Sequence, residues 1–169
     1  TNVLGKKVTT LVTGYEEILK AYIALHNLSF ERMVVNSSFS YDVEALGDPT
    51  LMKEAIESLT NRALFVVAAG NTRNAVPQYP AVLSKEVTNL ITVASIGKDR
   101  RLSAFSSFGP WVNLVAPGEK ICSTAGDGQY SCPSGTSLST PLVGGVALAT
   151  WKLSPTPTPR EMRQIIIAG

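Results

Sequence analysis

Apolar positions along the chain follow two different spacings. In Glu16–His26, the residues Ile18, Leu19, Tyr22, Ile23 and Leu25 recur mostly at helical intervals, which predicts a helix. Arg32–Ser37 is short and rich in β-branched residues and predicts a strand. A second helix is predicted at Asp48-Pro49, with Asp48 as N-cap and Pro49 at the first helical position. Leu51, Met52, Ala55, Ile56 and Leu59 continue it. Arg62–Ala69 and Asn89–Ser95 are uninterrupted apolar runs, which suit strands covered on both faces in a parallel sheet. Trp111–Ala116 reads as a short strand closed by Pro117-Gly118. Lys120–Thr124 and Gln129–Cys132 flank Ala125-Gly126-Asp127-Gly128 and read as a hairpin with its turn. A long apolar helix is expected from about Thr136 to Trp151. After the stiff connector Ser154–Pro159, Thr158-Pro159-Arg160-Glu161 carries a capping-box signature for a last helix. Alternating strands and helices imply an α/β fold with a mostly parallel sheet.

Composition narrows the classes. With 169 residues and 44% hydrophobic positions the chain can build a core, which excludes disorder. Its 15 basic and 13 acidic side chains form no basic cluster, which argues against a nucleic-acid partner. No apolar run approaches the ~18–20 residues of a bilayer span; the longest, Pro141–Trp151, reads as a buried core helix. Thr1–Gly5 shows no signal-peptide pattern and reads as the end of a strand, as if the chain starts inside a domain. The single histidine, His26, falls at a helix C-terminus, where its charge suits the helix dipole.

Two stretches carry candidate chemistry. In Ser134–Pro141 a serine sits between small residues at the start of an apolar helix. Small neighbours admit a substrate backbone, and the helix N-terminus favours a developing oxyanion. A Ser/Thr-rich helix cap would show the same pattern. In Val66–Asn71 a strand delivers an asparagine at its carboxyl end, where ligands bind in open α/β sheets and an amide can donate to an oxyanion. An ordinary Gly-Asn turn would look the same.

Taken together, the two stretches resemble the subtilisin-like serine peptidases, the subtilase family. Residues 135–141 match its Gly-Thr-Ser-x-x-x-Pro segment, and residues 69–71 match its Ala-Gly-Asn. Phe105–Pro110 and Val115–Gly118 resemble further signature segments in the right order. Val34–Ser40 is similar to the strand and segment lining the primary specificity pocket, and Val3–Gly5 to the strand before the substrate-binding loop. The resemblance covers nearly the whole chain. It implies a partial, doubly wound subtilisin-like α/β fold, its mostly parallel sheet flanked by helices, with a β-hairpin in the C-terminal half. It makes residues 1–169 the C-terminal portion of a catalytic domain, whose final segment follows Gly169.

Roles follow from the resemblance position by position. Ser137 matches the nucleophile, and its backbone N–H with the Asn71 side chain would form the oxyanion hole. Ser38, Phe39 and Ser40 match one wall of the substrate groove. Ala68, Ala69 and Gly70 match the other, and Thr136 joins them in binding a polypeptide held as an extended strand. Gln78 stands before Tyr79-Pro80, where many relatives have glycine, and implies a shallower, more polar pocket that disfavours large aromatic side chains. Leu138 stands where methionine is common, and Leu142 where histidine is.

The family's His-Gly-Thr and Asp-Thr-Gly segments do not occur in the chain, and Asp42, Asp48 and Asp99 lack their surroundings. The expectation is a serine endopeptidase that is inactive as this chain alone. A complementary N-terminal fragment or chain would supply the base and its carboxylate, and there is room for a propeptide or inhibitor as a further partner. The alternative is a pseudopeptidase that keeps the fold as a structural or binding subunit. Cys122 and Cys132 lie on opposite arms of the predicted hairpin, either bridged or as two buried thiols. A bridge would imply a secreted, lumenal or vacuolar setting. No cofactor is required for the chemistry. Structural calcium belongs to the complete domain, and with Trp111 and Asn113 where a weaker site can carry carboxylates, no strong site is expected here.

Overall fold

A computed structural model describes residues 2–3, 6–7, 14–42 and 49–169. Strands β1 (Asn2–Val3) and β2 (Lys6–Lys7) pair antiparallel; Leu4 and Gly5 lie outside the described residues. Helix α1 (Tyr15–Ala24) ends in a 3-10 turn at Leu25–Asn27, so the apolar run to His26 tightens before it stops. Strands β3 (Met33–Ser37) and β4 (Tyr41–Asp42) follow, then α2 (Thr50–Glu57). Pro49 is the N-cap of α2, and Asp48 lies outside the described residues. Strand β5 (Ala63–Ala68) leads to β6 (Gln78–Tyr79), a 3-10 turn (Ala81–Lys85) and β7 (Leu90–Ile96). The chain ends with β8 (Leu114–Pro117), the hairpin β9 (Ser123–Thr124) and β10 (Tyr130–Ser131), and helices α3 (Thr136–Leu153) and α4 (Pro159–Ala168).

The main sheet is parallel throughout, in the order β3-β5-β7-β8. Side chains of β5 alternate between two cores. Ala63, Phe65 and Val67 join Ile18 and Tyr22 of α1 and Met52 and Ile56 of α2. Leu64 and Val66 join Val143, Ala147 and Trp151 of α3 and Met162 of α4. Every β5 residue is buried, so its sequence shows no polar alternation. Burying each of its Leu, Phe and Val side chains contributes roughly 1.5–3 kcal/mol.

Strand β8 starts three residues later than the apolar pattern predicts. The Trp111 ring packs over Gly109, so tightly that a Cβ there would stand 2.4 Å from it. The Asn113 Oδ1 accepts from the Thr92 N–H at 2.8 Å in place of a ladder partner. At the other end of the chain the capping box forms as read. Glu161 N–H donates to Thr158 Oγ1 at 3.3 Å, and Thr158 N–H donates to Glu161 Oε2 at 2.7 Å. The Thr158 N–H and the Thr158 hydroxyl, which donates to the same Oε2 at 2.9 Å, hold the Glu161 carboxyl below its ordinary range. Arg163 reaches back to the Leu90 carbonyl at 2.7 Å, and burial lowers its pKa.

Beyond the carboxyl end of β7 the interior is packed with serines. Ser95 and Ser103 hydroxyls are 2.8 Å apart, Ser95 N–H donates to Ser106 Oγ at 3.0 Å, and Ser139 Oγ donates to Ala116 O at 3.1 Å. Gly118 closes this layer: a Cβ there would stand 2.3 Å from both Ser139 Oγ and Ser95 Oγ.

Candidate active site

Ser137 lies in the first turn of α3, after Gly135 at the N-cap. Helix N–H groups there lack an intrahelical acceptor, and the end carries partial positive charge. Pro141 sits four residues on and has no N–H to give the Ser137 carbonyl. That carbonyl instead accepts from the Ser38 hydroxyl at 3.0 Å, and Asn36 Nδ2 donates to the same hydroxyl at 3.0 Å. A proline inside the helix thus frees the acceptor that ties the segment after β3 to the serine.

Asn71 follows β5. Its Oδ1 accepts from the Thr136 N–H at 3.0 Å and the Thr136 hydroxyl at 3.1 Å. Two donors converging on one atom fix it as the oxygen, which turns Nδ2 the other way. A Cβ built on Gly135 would stand 3.0 Å from Ser137 Oγ and 3.6 Å from Asn71 Nδ2. Glycine therefore keeps open a space faced by a serine hydroxyl and an amide donor.

The loop carrying Asn71 is clamped by a distant segment. Ser107 N–H donates to Gly70 O at 2.9 Å, Arg73 N–H to Phe105 O at 3.2 Å and Phe108 N–H to Asn74 O at 3.1 Å. Gly70 N–H donates to Thr136 Oγ1 at 3.3 Å. On the other side, Gly135 N–H donates to Gly118 O at 2.8 Å. The resemblance marked Phe105–Pro110 and Gly118 without a role; their backbone bonds hold the turns of Asn71 and Ser137.

Not every expected groove residue has its side chain in the opening. Phe39 packs against Tyr22 and Tyr41, with ring centroids 6.5 and 5.9 Å apart. Thr136 is fully buried, its hydroxyl engaged by Asn71 and Gly70. Ser40 is half-buried, and Ala68, Ala69 and Gly70 are buried. Gln78 is buried too, and its Nε2 donates to Asp42 Oδ1 at 2.8 Å; nothing in the pattern pointed to that partner. Below the site the Tyr22 phenol bonds Ser37 at 2.7 Å, and burial pushes its pKa up. His26 lies on the α2 side of the sheet, its Nε2 2.9 Å from Ser58 Oγ. Asp99 makes an exposed ion pair with Arg101 at 4.0 Å.

Cys122 and Cys132 form a disulfide across the β9–β10 hairpin, and both residues are exposed. Ile121 N–H to Pro133 O at 3.0 Å and Lys120 N–H to Ser134 Oγ at 2.9 Å extend that brace toward Ser137. Among the described residues no group of three His, Cys, Asp or Glu is placed to hold a metal ion. At 111–113 the Asn113 side-chain oxygen accepts from the Thr92 N–H. No described helix is long and apolar enough to cross a membrane.

A doubly wound parallel sheet with a serine at a helix start, facing an asparagine amide beyond the strand ends, defines an α/β protein with a serine centre. The chain belongs to the subtilase family, whose pattern matches residues 3–168. It is 42% identical over 97 residues to thermitase of Thermoactinomyces vulgaris, covering 57% of this chain and 33% of that protein. It is 36% identical over 115 residues to a thermophilic serine proteinase of Bacillus sp. (strain AK1), covering 68% of this chain and 27% of that protein. A crystal structure of a cold adapted subtilisin-like serine proteinase superposes with a TM-score of 0.77 at 30% identity, covering 90% of this chain and 54% of that one. The chain thus spans about a third of the length of these curated relatives.

Proposed function

We propose that residues 1–169 are the part of a serine endopeptidase catalytic domain that carries the nucleophile and the oxyanion hole. Ser137 Oγ attacks the carbonyl carbon of the scissile peptide bond, and its proton passes to a base outside this chain. The resulting oxyanion accepts from the Ser137 N–H and Asn71 Nδ2. The amine leaves with the proton, and water then hydrolyses the ester on Ser137. The observation that carries this reading is the Asn71 amide, whose oxygen is held by Thr136 so that its donor faces the space beside Ser137 Oγ. A structural remnant has no physical need for that donor.

A complementary segment or chain supplies the histidine base and its carboxylate, and residues 1–169 alone do not turn over. The substrate is a polypeptide bound as an extended strand between the 38–40 and 68–70 segments, where a propeptide or inhibitor would also lie. The chemistry uses no cofactor, and structural calcium belongs to parts of the domain outside this chain. The disulfide supports a secreted, lumenal or vacuolar setting. A fluorophosphonate probe on the full-length protein tests the reading. Labelling that disappears in Ser137→Ala supports it; no labelling of the wild type favours a non-catalytic subunit.

A further inference from the structure

Two stretches of the chain place a serine two residues after an asparagine with no proline between: Asn27-Leu28-Ser29 and Asn36-Ser37-Ser38. That spacing is the acceptor signal for an N-linked glycan. The fold sets the two apart. Asn27 and Ser29 are exposed in the loop between α1 and β3, while Leu28 and Phe30 pack against the core that holds α1 and α2. Arg62 gives the loop its shape. Its guanidinium donates to the His26 carbonyl at 3.3 Å, to the Phe30 carbonyl at 2.8 Å and to the Leu28 carbonyl between them. Leu28 is extended, with φ −81° and ψ 136°, so its two neighbours turn their side chains to one face. The Asn27 amide and the Ser29 hydroxyl therefore meet solvent on the same side. Among the described residues neither makes a hydrogen bond. Asn36 is placed differently. It lies within β3, and its Nδ2 donates to the Ser38 hydroxyl that reaches Ser137 O. A glycan on Asn36 would crowd the serine centre. Asn27 lies beyond the opposite end of the same strand, whose five residues at about 3.3 Å each put roughly 15 Å between that loop and Ser38.

We propose that Asn27 is an N-glycan acceptor, an inference that rests on the secreted or lumenal setting supported by the disulfide. The donor is a lipid-linked oligosaccharide diphosphate, and a transferase catalyses the step. Asn27 Nδ2 attacks the anomeric carbon of the first sugar. A C–N bond forms, the C–O bond to the diphosphate breaks with its electron pair, the amide gives up one proton and the lipid diphosphate leaves. The folded chain accommodates the product because the amide points outward from a loop held on its inner side by Arg62. Asn36 stays unmodified.

The test is peptide mass spectrometry of the full-length protein isolated from the cells that make it. The protein is digested and treated with peptide N-glycosidase in heavy-oxygen water, which converts a glycan-bearing asparagine to a labelled aspartate. The label is expected at position 27 and not at 36. Asn27→Gln, expressed in the same cells, should lose the label and the enzyme-sensitive shift on a denaturing gel, with kcat/KM unchanged. Should that variant fail to fold, Ser29→Ala leaves the asparagine in place and must lose the glycan, while Ser29→Thr must keep it. A label on Asn36 alone overturns the inference, as does a glycan that persists on Asn27 in Ser29→Ala. An unlabelled Asn27 overturns it too, and a free-thiol titration of the same sample then separates the causes. With Cys122 and Cys132 bridged, the acceptor assignment fails and the secreted or lumenal setting stands. With two reactive thiols, the setting fails with it.

Discussion

Replacing Thr136 with valine keeps the shape of a fully buried side chain and deletes its hydroxyl. Two bonds go with it: the 3.3 Å bond from Gly70 N–H and the 3.1 Å bond to Asn71 Oδ1. The losses are unequal. Asn71 Oδ1 keeps the Thr136 backbone N–H, so its loss is an ordinary hydrogen bond of about 1 kcal/mol. Gly70 N–H is left buried with no acceptor, at about 1–3 kcal/mol. Valine creates no cavity, so Thr136→Val should lower stability by about 2–4 kcal/mol. Thr136→Ser keeps the hydroxyl and loses one methyl, at about 1 kcal/mol. Urea unfolding of the full-length protein and both variants reads the total. Amide hydrogen exchange at Gly70 reads the local part, with protection lost in the valine variant alone. Equal destabilisation by Val and Ser, or unchanged Gly70 protection in Thr136→Val, would refute the assignment of this hydroxyl as the link between the two turns.

Three further outcomes are expected. Cys122→Ser with Cys132→Ser opens the short loop of a disulfide spanning a sequence separation of 10 and should cost about 2–3 kcal/mol; an unchanged urea midpoint would show that the hairpin needs no brace. Gly118→Ala forces a Cβ to 2.3 Å from two buried hydroxyls and 2.8 Å from the Gly135 carbonyl. It should cost about 1–3 kcal/mol and slow fluorophosphonate labelling of Ser137, and full labelling with full stability would contradict the packing described. The Glu161 carboxyl is held down by Thr158, so its contribution is present above the unfolded carboxylate value of about 4.3 and is lost as pH falls through the lower folded value. Wild type should be the more stable of wild type and Glu161→Gln above that range, with the two acid profiles converging as pH falls through it, and profiles parallel throughout would count against the cap.

What could be read from the sequence is what is encoded locally. The Arg62–Ala69 run announces a strand because both faces of β5 are buried, and it is displaced by only one residue at each end. The Thr158–Glu161 box lies within one turn and forms as read. Trp111–Ala116 misleads because apolar character signals burial and not pairing: Trp111 is buried over Gly109 without joining the ladder. The site lies at the other extreme. Ser38 and Ser137 are separated by 99 positions, Asn71 and Thr136 by 65, and Asp42 and Gln78 by 36. No window of the chain contains both partners. Ser137, Asn71 and Gln78 were named through a family resemblance, which supplies positions. The residues that hold them, Asp42, Gly118 and Ser107, emerge only when the strands bring the loops together.

The serine layer under the turn of Ser137 has a mutational consequence. Ser95 and Ser139 meet Gly118 with no room for a Cβ, and Ser103 and Ser106 bond to Ser95 behind it. Substitution there is one-sided. At Gly118 no carbon can be added without displacing the backbone that carries Gly135 and, next to it, the turn of Ser137, whereas trimming a serine costs a hydrogen bond and, at Ser106, leaves the Ser95 N–H without its acceptor. A random library over these positions should therefore return alanine and glycine and almost nothing larger. A tight limit on substitution thus lies beneath the turn of Ser137, set by packing alone.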